Sequence, residues 1–183
     1  MNRIFKFFLG LFLLGFIYSC INPPEFSNTP EISFEGIKKV NKTIFNDLLG
    51  EVKVDSVIIS VNFKDGDGDL GLTNEELSNN PKYKDFSNFI VKTFIKINGE
   101  YQEAELNPPL GGLINFEFLP NQKSGPVEGT ISYSTIFIYD LYSGYSPYFK
   151  PKNDTLKFQI KLIDNSFNES NVIETDSVII FQN

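Results

Sequence analysis

The stretch Lys64-Asp65-Gly66-Asp67-Gly68-Asp69-Leu70-Gly71-Leu72-Thr73-Asn74-Glu75-Glu76 concentrates the groups most able to do chemistry in this chain. Three Asp alternate with two Gly. Glycine tolerates positive φ, so a tight loop can turn all three carboxylates inward. Without a counter-ion that arrangement is unfavourable. Two charges about 4 Å apart repel by roughly 1 kcal/mol in water and about 4 kcal/mol at an effective dielectric of 20. A hard divalent cation reverses the sign. Ca²⁺ takes roughly six to eight oxygens in flexible geometry, whereas Mg²⁺ keeps its waters and demands an octahedron, so Ca²⁺ is the expected ligand. The competing reading is a solvated turn whose Asp side chains bond their own backbone.

Composition narrows the rest. The 183 residues carry 16 Lys+Arg and 23 Asp+Glu, a formal charge of −7, which disfavours nucleic acid as a partner. There is no His and one Cys, which removes His-based triads, His metal ligands, an internal disulfide and Cys-rich zinc sites. An enzyme would have to work through carboxylates, as a glycoside hydrolase does. No G-x-S-x-G motif is present and nothing marks a raised-pKa acid, so no catalytic residue is assigned. Tyr139, Tyr142, Tyr145 and Tyr148 crowd the stretch YDLYSGYSPYF, broken by Gly144 and Pro147. Exposed, they could stack on sugars or anchor a partner; buried, they would cover a sheet edge.

The first twenty residues, MNRIFKFFLGLFLLGFIYSC, carry Arg3 and Lys6 ahead of the apolar run Phe7–Ile17. That run is well short of the ~20 residues that span a bilayer as a helix. The pattern is a cleavable leader. Ile17-Tyr18-Ser19-Cys20 resembles the lipobox of a bacterial lipoprotein signal, with Tyr18 where a small residue is usual. The resemblance implies cleavage before Cys20 and acylation (palmitate-type) of that residue. An ordinary secretory signal is the alternative. The expected organisation is a signal peptide over 1–19, a lipidated Cys and Pro/Asn-rich tether over 20–30, and one domain over 31–183.

That domain must position the loop, and its apolar pattern has period two. Val57, Ile59, Val61 and Phe63 share a face, as do Phe89, Val91, Thr93, Ile95 and Ile97, then Ile114, Phe116 and Phe118, and Leu156, Phe158, Ile160 and Leu162. Further strands are expected near Ile32–Ile37, Gly129–Tyr139 and Val172–Phe181. Asn98-Gly99 is a hairpin signal. The pentapeptide Asp-Ser-Val-Ile-Ile occurs at Asp55–Ile59 and Asp176–Ile180, read as a shared way to start a strand. Seven or eight short strands predict an all-β, immunoglobulin- or fibronectin-like antiparallel sandwich, with a closed barrel as the alternative. If Val57–Phe63 is strand B and Leu156–Ile163 strand F, their following loops share one end. Asp164 and Asn165 then join Asp65, Asp67 and Asp69 as candidate ligands.

The acidic loop also resembles the calcium loop of EF-hands. With Asp65 first, Asp67 and Asp69 fall at the third and fifth positions and Glu76 at the twelfth. Leu70 stands where that family has Gly, and a strand precedes the loop. Thr73 and Glu76 also fit a helix capping box, which would give Glu76 another role. The phrase Val61–Leu72 and the ending Ile163–Ser170 followed by Val172–Phe181 resemble a group of Bacteroidota lipoproteins of uncharacterised activity. That resemblance implies a lipid-anchored location at the outer membrane, on a periplasmic or surface face. It implies no activity; with no catalytic residue assigned, a role in binding or assembly is left, with an envelope protein or glycan as partner. Asp55-Ser56-Val57, Asp154-Thr155-Leu156 and Asp176-Ser177-Val178 resemble the O-glycosylation acceptors of such bacteria, at Ser56, Thr155 and Ser177. Each is equally a turn-to-strand junction.

Overall fold

Strict alternation of apolar and polar residues builds the two strands on which the domain rests. The computed structural model describes residues 25–48, 50–72, 74–113, 125–139 and 153–182. β1 (Glu31–Asn46) and β2 (Gly50–Asp65) form a hairpin, and β6 (Val127–Ile138) pairs with the other side of β2. The second sheet contains β3 (Phe89–Ile97), β4 (Glu100–Ala104), β7 (Asp154–Leu162) and β8 (Ile173–Glu174) in the order β4-β3-β7-β8. The short β5 (Gly111–Gly112) adds to β3 and β9 (Val178–Ile180) adds to β7. All pairings are antiparallel. Setting β5 aside, β2 and β7 hold the places of strands B and F in a fibronectin-like sandwich. A six-residue helix, α1 (Asn74–Asn79), and a 3-10 turn (Pro81–Tyr83) bridge β2 to β3.

The core is the interleaving of the two inner faces. Val57, Ile59 and Val61 of β2 and Ile131 and Phe137 of β6 meet Phe89, Val91 and Ile95 of β3 and Leu156, Phe158, Ile160 and Leu162 of β7. Full burial of each such side chain contributes about 1.5–3 kcal/mol. Asn98 and Gly99 turn the β3–β4 hairpin with φ of 53° and 94°, the left-handed geometry their types favour.

Three expectations change. β1 and β2 run well past the segments whose alternation reveals them. Their distal halves pair only with each other beyond Val54, where β6 ends, and among the described residues of 40–53 Val52 alone is buried, too few to set a period. Val172–Phe181 is two short strands, because Thr175 turns its hydroxyl and its backbone N–H onto Phe158 of β7 (3.1 and 2.9 Å). The repeated pentapeptide is not a shared strand start. Asp55 lies in the body of β2 at 0% exposure, whereas Asp176 is exposed ahead of β9. The leader at 1–19, Cys20, the strand expected over Ile114–Phe118, and Tyr142, Tyr145 and Tyr148 lie outside the described residues. Among the described residues no helix is long and apolar enough to cross a membrane.

Asp55 is a clamp on the C-terminal strand. Its carboxylate accepts from Phe181 N (2.6 Å) and Asn41 Nδ2 (2.8 Å), with Lys39 Nζ 3.8 Å away. Tyr139 covers it, and burial together with the Asp55 charge pushes the Tyr139 phenol above its usual range. Asp55→Ala strips a buried charged acceptor from these donors and is expected to lower unfolding free energy by about 3 kcal/mol. Urea denaturation measures it; a loss under about 1 kcal/mol would contradict the clamp.

Candidate metal centre

At the other end of β2 the core-facing parity of Val57, Ile59 and Val61 brings Asp65 inward, again at 0% exposure. The chain then turns through Gly66–Gly68. Gly68 has φ of 74°, and a Cβ there would lie 2.5 Å from Gly125 O, so glycine is required on two counts. Gly125 N donates to Asp67 O at 3.1 Å, and Asp69 N donates to Asp65 Oδ2 at 3.1 Å. Leu70 and Leu72 re-enter the interior and pin the loop's exit, and Asn88 Nδ2 donates to Leu70 O at 3.0 Å.

The loop after β7 lies against it, as the sandwich topology requires. Asp164 is buried, and its two oxygens accept from Asn168 N (2.7 Å) and Asn168 Nδ2 (2.8 Å). Asn165 N donates to Asp69 O at 3.0 Å, and Ser166 Oγ donates to Asp69 Oδ2 at 2.7 Å. Asn165 Nδ2 is committed to Gly71 O at 2.5 Å, which leaves Oδ1 as the free end of that amide. Tyr83 Oη and Lys82 Nζ both donate to Asn165 O (3.1 and 3.2 Å) and hold the second loop in place.

One carboxylate oxygen each from Asp65, Asp69 and Asp164 lies within 4.8 Å of the others. Asp65 Oδ1, Asp67 Oδ1, Asp69 Oδ1 and Asn165 Oδ1 are buried with no hydrogen-bond partner among the described residues. Buried polar atoms are almost always satisfied, so four orphaned oxygens on two touching loops call for a partner. All four are acceptors, so that partner is a cation or a donor. Burial, and then the charges of Asp67 and Asp69, push the Asp65 carboxyl from the ordinary 3.8 to about 6. Asp69 is raised as well, by burial first, with Asp164 and Asp67 adding and the Ser166 bond opposing. Hard oxygens with several negative charges match Ca²⁺. Asp65, Asp67, Asp69 and Asn165 would be direct ligands. Asp164 would add charge and its remaining lone pairs.

Glu76 does not join them. It stands exposed on α1, which begins right after the loop's buried leucines and carries the chain away. The EF-hand spacing therefore overstates its role, and the unpartnered oxygen from outside the Asp triplet belongs to Asn165. Sequence reasoning missed Ser166, Asn168, Asn88 and Tyr83, which orient the ligands. The first two sit in the motif that supplied Asp164 and Asn165; Asn88 and Tyr83 carry no sequence signal. Tyr139 is at the opposite end, over Asp55. Ser56 is buried and contacts Ser134 Oγ at 3.4 Å, which leaves no room for a sugar in the folded domain. Thr155 is half-buried within β7, and Ser177 is exposed with its Oγ 2.5 Å from Tyr101 Oη.

No protein-family model, curated protein or solved structure matches this chain.

The raised Asp65 pKa fixes a sign. The cation-free fold keeps a proton that the unfolded chain releases. That contribution is full below the unfolded value of 3.8 and is lost as pH rises through about 6. In EDTA, wild type should therefore lose stability relative to Asp65→Asn between about pH 4 and pH 7. Asp65→Asn should be the more stable by about 1 kcal/mol or more at pH 7, since it relieves at least one repelling pair. In calcium the order reverses, and calcium affinity falls as pH drops through 6. Parallel melts of both proteins across this range decide it; equal slopes in EDTA would contradict the charge crowding.

Proposed function

We propose that this chain is a non-catalytic, calcium-stabilised β-sandwich held at the cell envelope by a lipid on Cys20, serving in binding or assembly. The observation that supports the cation is the set of four orphaned buried oxygens on Asp65, Asp67, Asp69 and Asn165. The support for the anchor is the leader and its lipobox-like end, Ile17-Tyr18-Ser19-Cys20. In this reading the metal is structural. It ties the loop after β2 in one sheet to the loop after β7 in the other and so joins the two sheets at one end.

Between binding a glycan and assembly with a protein, the far end of the β1–β2 hairpin favours assembly. Phe45 and Leu48 are 75% and 93% exposed there. Lys42 and Lys53 flank them with no ion-pair partner among the described residues. An apolar tip ringed by both signs of charge, Lys42 and Lys53 with the exposed Asp47 and Glu51, fits a protein surface with an apolar centre.

A thermal melt of the chain from Ile21 onward tests the cation. Every described strand lies within it. About 1–5 mM calcium, the range of weak extracellular sites, should raise the melting temperature over EDTA, and Asp67→Ala and Asp69→Ala should each abolish the rise. An identical melt in both conditions would remove the metal. Separately, Cys20→Ala should stop incorporation of labelled fatty acid in cells; unchanged labelling would remove the anchor.

A further inference from the structure

We infer that the cation cage controls how the N-terminal segment leaves the domain, docking Phe26–Ser27 onto the outer side of the loop when a cation is bound. The inference rests on the cation reading above. Gly66 N donates to Ser27 O at 2.8 Å. A Cβ on Gly66 would lie 2.5 Å from Phe26 O and 2.8 Å from Ser27 C, so the segment lies directly on the glycine backbone. Lys64 Nζ sits 5.4 Å from the centre of the Phe26 ring. Beyond these contacts the chain runs through buried Pro30 into β1.

The coupling follows from position. Gly66 stands between Asp65 and Asp67, and both neighbours turn an unpartnered Oδ1 inward. A cation that binds both side chains fixes the peptide between them and aims its N–H outward at Ser27. With no cation the two carboxylates repel, the backbone from 65 to 67 relaxes, and the single hydrogen bond to Ser27 loses its alignment. Linkage is reciprocal, so docking of the segment strengthens cation binding by the same factor. Gly66 has no positive φ, so its lack of a side chain is explained by the close approach of this segment.

Docking sets reach. At no more than about 3.6 Å per residue, Cys20 can stand roughly 20 Å from a chain pinned at Phe26, against roughly 40 Å from one free back to Glu31. On a lipid-anchored chain, calcium would thus draw the metal end of the sandwich toward the bilayer and aim the exposed hairpin tip away.

The chain has one cysteine, so Cys20→Ser with Glu25→Cys leaves a single thiol for a nitroxide beside Phe26. Calcium should convert its spectrum from mobile to immobilised in the otherwise wild-type protein. Gly66→Ala should keep the spectrum mobile while retaining a calcium-dependent thermal shift, at several-fold weaker affinity. If Gly66→Ala does not fold, Phe26→Ala, which removes the ring beside Lys64 and keeps the backbone contacts, should reduce the calcium-dependent immobilisation. A thermal shift with no spectral change overturns the docking and leaves the metal site standing. No thermal shift overturns the metal reading itself. A spectrum already immobilised in EDTA overturns the coupling.

Discussion

Negative charge gathered without a partner is the constraint on which this structure turns. Oxygens of Asp65, Asp69 and Asp164 converge where the ends of the two sheets meet, Asp67 and Asn165 lie beside them, and four oxygens of Asp65, Asp67, Asp69 and Asn165 have no donor among the described residues. A loop that only had to reverse direction would keep such groups in water. This one buries them, because β2 delivers Asp65 on its core-facing parity and the buried leucines at 70 and 72 pull the far end of the loop inward. The hydrophobic core thus holds the carboxylates together against their repulsion. A cation bound there would relieve that conflict.

β2 contains its own control. Asp55 and Asp65 are the same residue type on the same face of the same strand, both fully buried. Asp55, at one end, is met by Phe181 N, Asn41 and Lys39. Asp65, at the other, meets Asp67 and Asp69. The chain supplies donors to a buried carboxylate where the requirement is purely structural. At the opposite end it supplies one backbone N–H, from Asp69 to Oδ2, and leaves Oδ1 among further acceptors. That contrast separates a metal cage from an ordinary buried Asp more sharply than the acidity of the loop does.

What the sequence shows follows from what each residue has to satisfy. β3 and β7 each have one face on the core, so their alternation marks them. The Asn98-Gly99 hairpin is legible because its backbone needs the left-handed region. The meeting of the two loops follows from assigning β2 and β7 to strands B and F. The long distal hairpin is not legible, since among the described residues of 40–53 Val52 alone is buried and no sustained period arises. Asp55 is also hidden, because Asp-Ser-Val reads as a turn leading into a strand and only the fold turns it inward. Glu76 looks like a ligand by counting along a helix-flanked loop. In the proposed site the remaining oxygen would come from Asn165, some ninety residues further along the chain.

The most direct measurement is a crystal structure of the calcium-soaked protein with data collected at long wavelength for the anomalous signal of calcium. The account requires a single peak about 2.3–2.6 Å from Asp65 Oδ1, Asp67 Oδ1, Asp69 Oδ1 and Asn165 Oδ1. Water or a protein donor bonded to those four oxygens, with no anomalous peak among them, would contradict it.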